Sequence, residues 1–169
     1  MFKRKRIQSD ISVLMVCMGN ICRSPTAEAV LRKKAEQAEI DIDIDSAGTL
    51  GLHKGNRPDK RSVATGEAAG YSFKGIRSRP LADDDFARFD LILAMDEDNM
   101  RELLIRCPQE YAEKVKLLLS YANSDEARGL DLEVPDPYYG GGKGFELVLK
   151  LVEQGCDGLL SDLCRHLND

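Results

Sequence analysis

The residues best equipped for covalent chemistry sit together near the start of the chain, in VCMGNICRSPTAE at 16–28. A loop placed between a strand end and a helix start turns successive backbone N–H groups inward and so cradles an anion. Met18, Gly19, Asn20, Ile21, Cys22, Arg23 and Ser24 would supply that cradle, with Gly19 permitting the turn. Arg23 offers a planar fork that holds two oxygens of a tetrahedral oxyanion such as phosphate. Cys17 would lie on the floor, in the positive field of the helix dipole, the amides and the guanidinium. Such a field lowers a thiol pKa from about 8.5 into a range of roughly 3.5 to 7.5. A thiolate facing a bound phosphorus is a nucleophile for phosphoryl transfer. Ser24 can hydrogen-bond the sulfur as it leaves again, and Asn20 can brace the loop. C-x5-R alone is a weak signal; joined to Gly, Asn, Ser and Pro in a strand-loop-helix setting it becomes a specific one.

A thiolate cannot expel an alkoxide or phenoxide unaided, so a proton donor is required. Asp136, in PDPYYGGG, is the candidate. Pro135 and Pro137 stiffen the segment, and Tyr138 and Tyr139 offer aromatic walls to a flat substrate group. Asp-Pro followed by glycines is also an ordinary turn, and only the cysteine loop elsewhere in the chain tips the reading toward chemistry.

Positioning these residues requires a strand over 11–16, rich in β-branched residues, and then a helix opening at Ser24-Pro25 with Pro at its first position. Residues 41–47 alternate acidic and apolar as a half-exposed strand. After a Gly/Pro loop, Asp59 caps a helix running to about Ala69 and stopping at Gly70. A short helix over 83–88, a buried strand over 91–95, a helix over 96–106 ended by Cys107-Pro108, and a fourth strand over 114–119 follow. A long polar loop spans 120–143, and from Gly144 an apolar stripe from Phe145 to Leu167 marks a terminal amphipathic helix. Strands alternating with helices predict an α/β fold: a parallel sheet covered on both faces, with ligands at the carboxyl ends of its strands.

The chain has 169 residues and a net charge of -5, enough for one well-filled core and unsuited to nucleic acid as the main partner. Lys3, Arg4, Lys5 and Arg6 form a basic run, read as a disordered tail over 1–10 ahead of a single domain over 11–169. No apolar stretch has the length of a membrane span or a secretory signal, so a cytoplasmic protein is expected. Five cysteines without CxxC or zinc spacing are read as reduced thiols, Cys156 and Cys164 as core filler. His53, in a loop, is read as a solvent-exposed bystander.

VCMGNICRSPTAE together with DPYYGGG at 136–142 resembles the low-molecular-weight protein tyrosine phosphatase family. DSAGT at 45–49, RPD at 57–59, FDLILAMDEDN at 89–99 and GFELVLKLVEQGCDGLL at 144–160 extend the likeness over nearly the whole chain after the tail. The resemblance implies a four-stranded parallel sheet in three layers with helices on both faces, a cysteinyl-phosphate intermediate on phosphotyrosine proteins, no metal and no cofactor, and a monomer. It implies Cys17 as nucleophile, Arg23 as phosphate ligand, Asp136 as general acid and then base, and Asn20 and Ser24 as loop supports. It also implies Cys22 as a redox partner able to form a protective disulfide with Cys17, and Tyr138 and Tyr139 as the aromatic pair at the crevice mouth.

Two positions depart from that pattern. Leu52 stands where the family often has an aromatic wall, and Ile76 where many members have a His supporting the loop asparagine. Asp96 matches an acidic position near the loop, and a capping role fits it equally well. Thioredoxin-coupled arsenate reductases share the fold and the C-x5-R loop but need two further cysteines close together. Arginine phosphatases tend to carry Thr where this chain has Ile21. A binding module without activity would be expected to lose Cys17 or Asp136.

Overall fold

The structure, a computed structural model, describes residues 7–138 and 140–167. The basic run at 3–6 and Tyr139 lie outside the described residues. Four strands, β1 (Ile7–Cys17), β2 (Ile40–Gly48), β3 (Leu91–Ala94) and β4 (Val115–Leu117), form one all-parallel sheet in the order β2-β1-β3-β4. Among the described residues six α-helices accompany them: α1 (Arg23–Gln37), α2 (Lys60–Ala68), α3 (Asp85–Arg88), α4 (Glu97–Arg106), α5 (Asp125–Gly129) and α6 (Gly142–Leu167).

Both faces of the sheet are covered, which is why its central strands read as unbroken apolar runs. In β1, Val13, Met15 and Cys17 face one core and Leu14 and Val16 the other, the alternation that a strand imposes. The first core is closed by Ala27, Val30 and Leu31 of α1 and Val148, Val152, Cys156 and Leu159 of α6. The second is closed by Phe86 in α3, by Phe89 just beyond it, and by Leu103 of α4. Because the chain leaves β1 for β2 on one side and returns to β3 on the other, connections diverge at the carboxyl ends of β1 and β3. A crevice opens there.

Several boundaries differ from the sequence reading. β1 begins at Ile7, not at 11, so the boundary drawn between tail and domain falls inside a strand. Ile7 and Gln8 pair with Ile40 and Asp41, and the register shifts between Gln8 and Ile11. Gln8, Ser9 and Asp10 carry no apolar pattern to announce a strand, and main-chain pairing needs none. The 120–143 segment is not one loop: a 3₁₀ turn (Leu118–Tyr121) and α5, capped by Ser124, occupy its first part. Pro25 is the third residue of α1, not the first. Its missing N–H is harmless anywhere in that turn, since the first four helical N–H groups have no helical acceptor. Asp59 caps α2 as expected, and Gly70 follows it with φ +93.

Candidate active site

Cys17 is the last residue of β1, and the chain turns through 18–22 before α1 starts. The direction of the peptide groups in this turn is set from outside. Met18 O accepts from Leu50 N–H at 3.0 Å, Gly19 O from the Ser78 hydroxyl at 3.1 Å and Ile21 O from Asp59 N–H at 2.8 Å. Cys22 O accepts from the Thr26 hydroxyl at 2.8 Å. Because the trans peptide is planar, each carbonyl drawn outward sends the next N–H inward. Asn20 N–H shows the result directly, pointing at Cys17 Sγ at 3.3 Å. Asn20 itself adopts φ 55, a left-handed conformation that asparagine tolerates better than most residues.

Behind the cradle, Asn20 Nδ2 donates to Ser24 Oγ at 2.7 Å, and Ser24 Oγ lies 3.1 Å from Cys17 Sγ. Asn20 and Ser24 are fully buried, whereas Cys17, Met18, Gly19, Ile21, Cys22 and Arg23 line the crevice. The loop residues therefore divide into a lining and a brace. Asn20 Oδ1 accepts from Arg79 N–H at 3.0 Å. Ile76 is buried in the core and does not replace the histidine expected to support Asn20; the backbone of Arg79 does. Arg79 is itself pinned by Asp45 and Asp85. At the end of β2, a Cβ on Gly48 would fall 2.8 Å from both Met18 O and Leu50 O, so only glycine lets the strand run against the loop.

The Arg23 side chain is buried. Its Nη1 donates to Asp96 Oδ2 at 2.5 Å and to Val134 O at 3.0 Å, and its Nη2 stands 3.7 Å from Asp136 Oδ2. Burial alone would lower its pKa; the negative charge of Cys17, Asp96 and Asp136 outweighs burial and raises it, so the fork stays cationic. Asp96 takes both roles open to it from sequence. One oxygen holds Arg23 and the other caps α4 by accepting from Asn99 N–H at 2.7 Å.

Across the crevice, Asp136 lines the wall and its Oδ1 accepts from Tyr138 N–H at 3.0 Å, so the same residue makes the turn and faces the crevice. Its side chain is 37% exposed. Leu52 and Tyr138 complete the rim, 69% and 38% exposed. His53 is half-buried rather than solvent-exposed. It lines the crevice, its ring centroid 6.4 Å from that of Tyr138, and Cδ2 lies 3.1 Å from where a Cβ on Gly19 would be. The enclosed volume is about 250 Å³. Cys22 shares this lining, and its thiol pKa is pushed up to about 12, chiefly by burial. Sequence reasoning missed His53, Val134 O, Ser78 and the backbone of Arg79. Among the described residues no three His, Cys, Asp or Glu side chains gather as a metal-holding group.

Residues 12–168 match the family described as low molecular weight phosphotyrosine protein phosphatase. The chain belongs to this family. The chain is 45% identical over 152 residues to the low molecular weight protein-tyrosine-phosphatase of Streptomyces coelicolor, covering 88% of this chain and 91% of the relative. To the human low molecular weight phosphotyrosine protein phosphatase it is 41% identical over 157 residues, covering 90% and 96%. Among solved structures, a protein tyrosine phosphatase from Entamoeba histolytica with Hepes in the active site superposes with a TM-score of 0.87 at 42% identity, covering 93% of this chain and 99% of that one. The low molecular weight phosphatase fold thus extends through all four strands and both helical layers.

Proposed function

We propose that the protein is a protein tyrosine phosphatase that hydrolyses phosphotyrosine through a cysteinyl-phosphate intermediate. The observation that carries this reading is the convergence of Cys17 Sγ, the inward-facing amides, the Asp96-held fork of Arg23 and the Asp136 carboxyl on one crevice. The names of the relatives point the same way.

In the first half-reaction the Cys17 thiolate attacks phosphorus and the bond to the tyrosyl oxygen breaks. Protonated Asp136 gives its proton to the departing oxygen. The loop amides and Arg23 bind the three remaining oxygens, whose geometry in the transition state they fit better than in the ground state. This positive charge is the protein's own, so the step asks for no metal or cofactor. In the second half-reaction Asp136, now a carboxylate, takes a proton from water. The water oxygen attacks phosphorus, the S–P bond breaks, and Ser24 Oγ stabilises the returning thiolate. Inorganic phosphate leaves. Ile21, Leu52 and Tyr138 give the crevice apolar walls suited to a phenyl ring, and Ile21 puts bulk where an arginine phosphatase would be expected to carry Thr.

Cys22 lines the same crevice and is the proposed redox partner. Peroxide would oxidise Cys17 to its sulfenic acid, and the Cys22 sulfur would then displace water to form the disulfide. In Cys22→Ser protein, inactivation by peroxide should become harder to reverse with reductant; equal recovery would remove Cys22 from the scheme. The activity itself is tested by assaying phosphotyrosyl peptide, phosphoarginine and arsenate in parallel with wild-type and Cys17→Ser protein. The expected result is hydrolysis of phosphotyrosine alone, abolished in the variant while vanadate binding persists. Wild-type preference for phosphoarginine or arsenate would replace the reading.

A further inference from the structure

Beside the crevice the surface turns strongly basic. Residues 50–79 carry seven Lys and Arg against two carboxylates, in a chain whose net charge is -5. Arg61 is committed to Asp59, and Arg79 to Asp45 and Asp85. The other five, Lys54, Arg57, Lys60, Lys74 and Arg77, are exposed and have no acidic partner among the described residues. Elsewhere the exposed cations Arg88, Arg101, Arg128 and Lys150 each face a carboxylate, whereas Lys116 and Lys143 do not. Among the described residues the uncompensated exposed charge is therefore concentrated here, five cations against two elsewhere.

Arg57, Lys60, Lys74 and Arg77 line a single groove of about 790 Å³, whose wall also carries Glu67 and the already engaged Asp59. The groove is built on the segments that hold the cradle. Asp59 N–H donates to Ile21 O, and Ser78 both donates its hydroxyl to Gly19 O and pairs by its backbone with Gly55 and Asn56. Its two banks, 54–60 and 72–77, are thus tied to each other and to the phosphate-binding loop. A segment bound there is registered against a phosphotyrosine in the crevice.

Resting on the phosphatase reading above, we propose that this groove docks an acidic segment flanking the phosphotyrosine of a protein substrate, so that the enzyme selects phosphotyrosines in Asp/Glu-rich sequences. Charge complementarity sets the occupant: four cations without acidic partners within one groove attract carboxylates over roughly one Debye length, about 8–10 Å at ordinary ionic strength. An extended peptide fits a recessed groove. An anionic bilayer is a flat surface that the otherwise acidic body would repel.

The test compares a phosphotyrosyl peptide flanked by Asp and Glu with its Asn/Gln counterpart, using wild-type protein and Lys60→Glu/Lys74→Glu/Arg77→Glu. Turnover of 4-nitrophenyl phosphate reports the crevice alone, and direct binding of each peptide to Cys17→Ser protein reports docking without catalysis. Wild type should favour the acidic peptide in kcat/KM by about tenfold at low salt, a preference lost at high salt and abolished or inverted in the variant. Equal kcat/KM for the two peptides overturns the proposal while leaving the phosphatase reading intact. Selective binding of the acidic peptide to Cys17→Ser without hydrolysis by wild type would instead sink the phosphatase reading and keep the groove. If the substitutions abolish sedimentation with phosphatidylserine vesicles but leave peptide preference untouched, the groove is a membrane contact and the proposal falls.

Discussion

The cradle at 17–24 and the rim formed by Leu52, His53, Asp136 and Tyr138 enclose the same crevice but are held in opposite ways. In the cradle, carbonyls are bonded outward, Asn20 and Ser24 are buried, and the guanidinium of Arg23 is fixed by Asp96 and Val134 O. On the rim, Leu52, Asp136 and Tyr138 are 69%, 37% and 38% exposed. The difference separates two tasks. Phosphoryl transfer needs dipoles fixed before the substrate arrives, whereas recognition of a variable leaving group needs surfaces that change without disturbing them. Substitutions in the cradle should therefore reduce kcat for every substrate, and those on the rim should discriminate among substrates.

Asp136 breaks this division most sharply, since it sits on the rim yet is assigned to chemistry. Asp136→Asn should lower turnover of phenyl phosphate by about two to four orders of magnitude, the range of general acid catalysis. A nitrophenyl ester, whose leaving group is already a stable anion, should lose less. The basic limb of the pH profile should flatten. An equal fall for both substrates with that limb intact would return Asp136 to the role of a turn residue.

Asp96 sharpens the cradle side. Asp96→Asn keeps an oxygen for the Asn99 cap but removes the negative charge beside Arg23 and turns an amide NH2 toward its fork, so kcat should fall by about ten- to a hundredfold. Asp96→Ala should match that loss and cost about 1 kcal/mol more through the lost cap. Kinetics together with thermal denaturation separate the two functions. If Asn behaves as wild type in turnover, Arg23 does not depend on Asp96.

On the rim, Leu52→Phe should change KM for aryl phosphates by no more than about tenfold and leave Tm within about 2 °C, as expected of an exposed side chain. A collapse of kcat would show that rim and cradle are coupled. The smallest effect concerns pH. Burial raises the Cys22 thiol from near 9 to about 12, so the folded protein holds this proton more tightly than the unfolded chain. Stability from this group is fully present below about pH 9 and is lost as the pH climbs toward about 12. Denaturation followed across that window should show a shallower decline in Cys22→Ala.

Much of this division was legible in the sequence, because the cradle depends on residue types with narrow uses. A strand, C-x5-R, Gly19, Asn20 and Ser24 fix a loop, and the caps at Asp59 and Asp96 announce themselves. The braces that act through the main chain left no such trace. Arg79 N–H and Val134 O are groups every residue possesses, and Ser78 is one serine among many. His53 was misread because a loop position says nothing of which way the loop folds, and here it folds back onto Gly19. The early start of β1 and the short α5 lacked apolar periodicity for the same reason: one is held by edge pairing, the other by a cap around a single buried alanine, Ala127.

The proposed cysteinyl-phosphate on Cys17 can be trapped directly. Wild-type protein mixed with a phosphotyrosyl peptide, quenched in acid within milliseconds and digested, should yield the peptide containing Cys17 carrying one phosphoryl group, labile on standing and absent from Cys17→Ser protein. Phosphate released at full rate with no adduct on Cys17 at any time, or an adduct on another residue, would contradict the account.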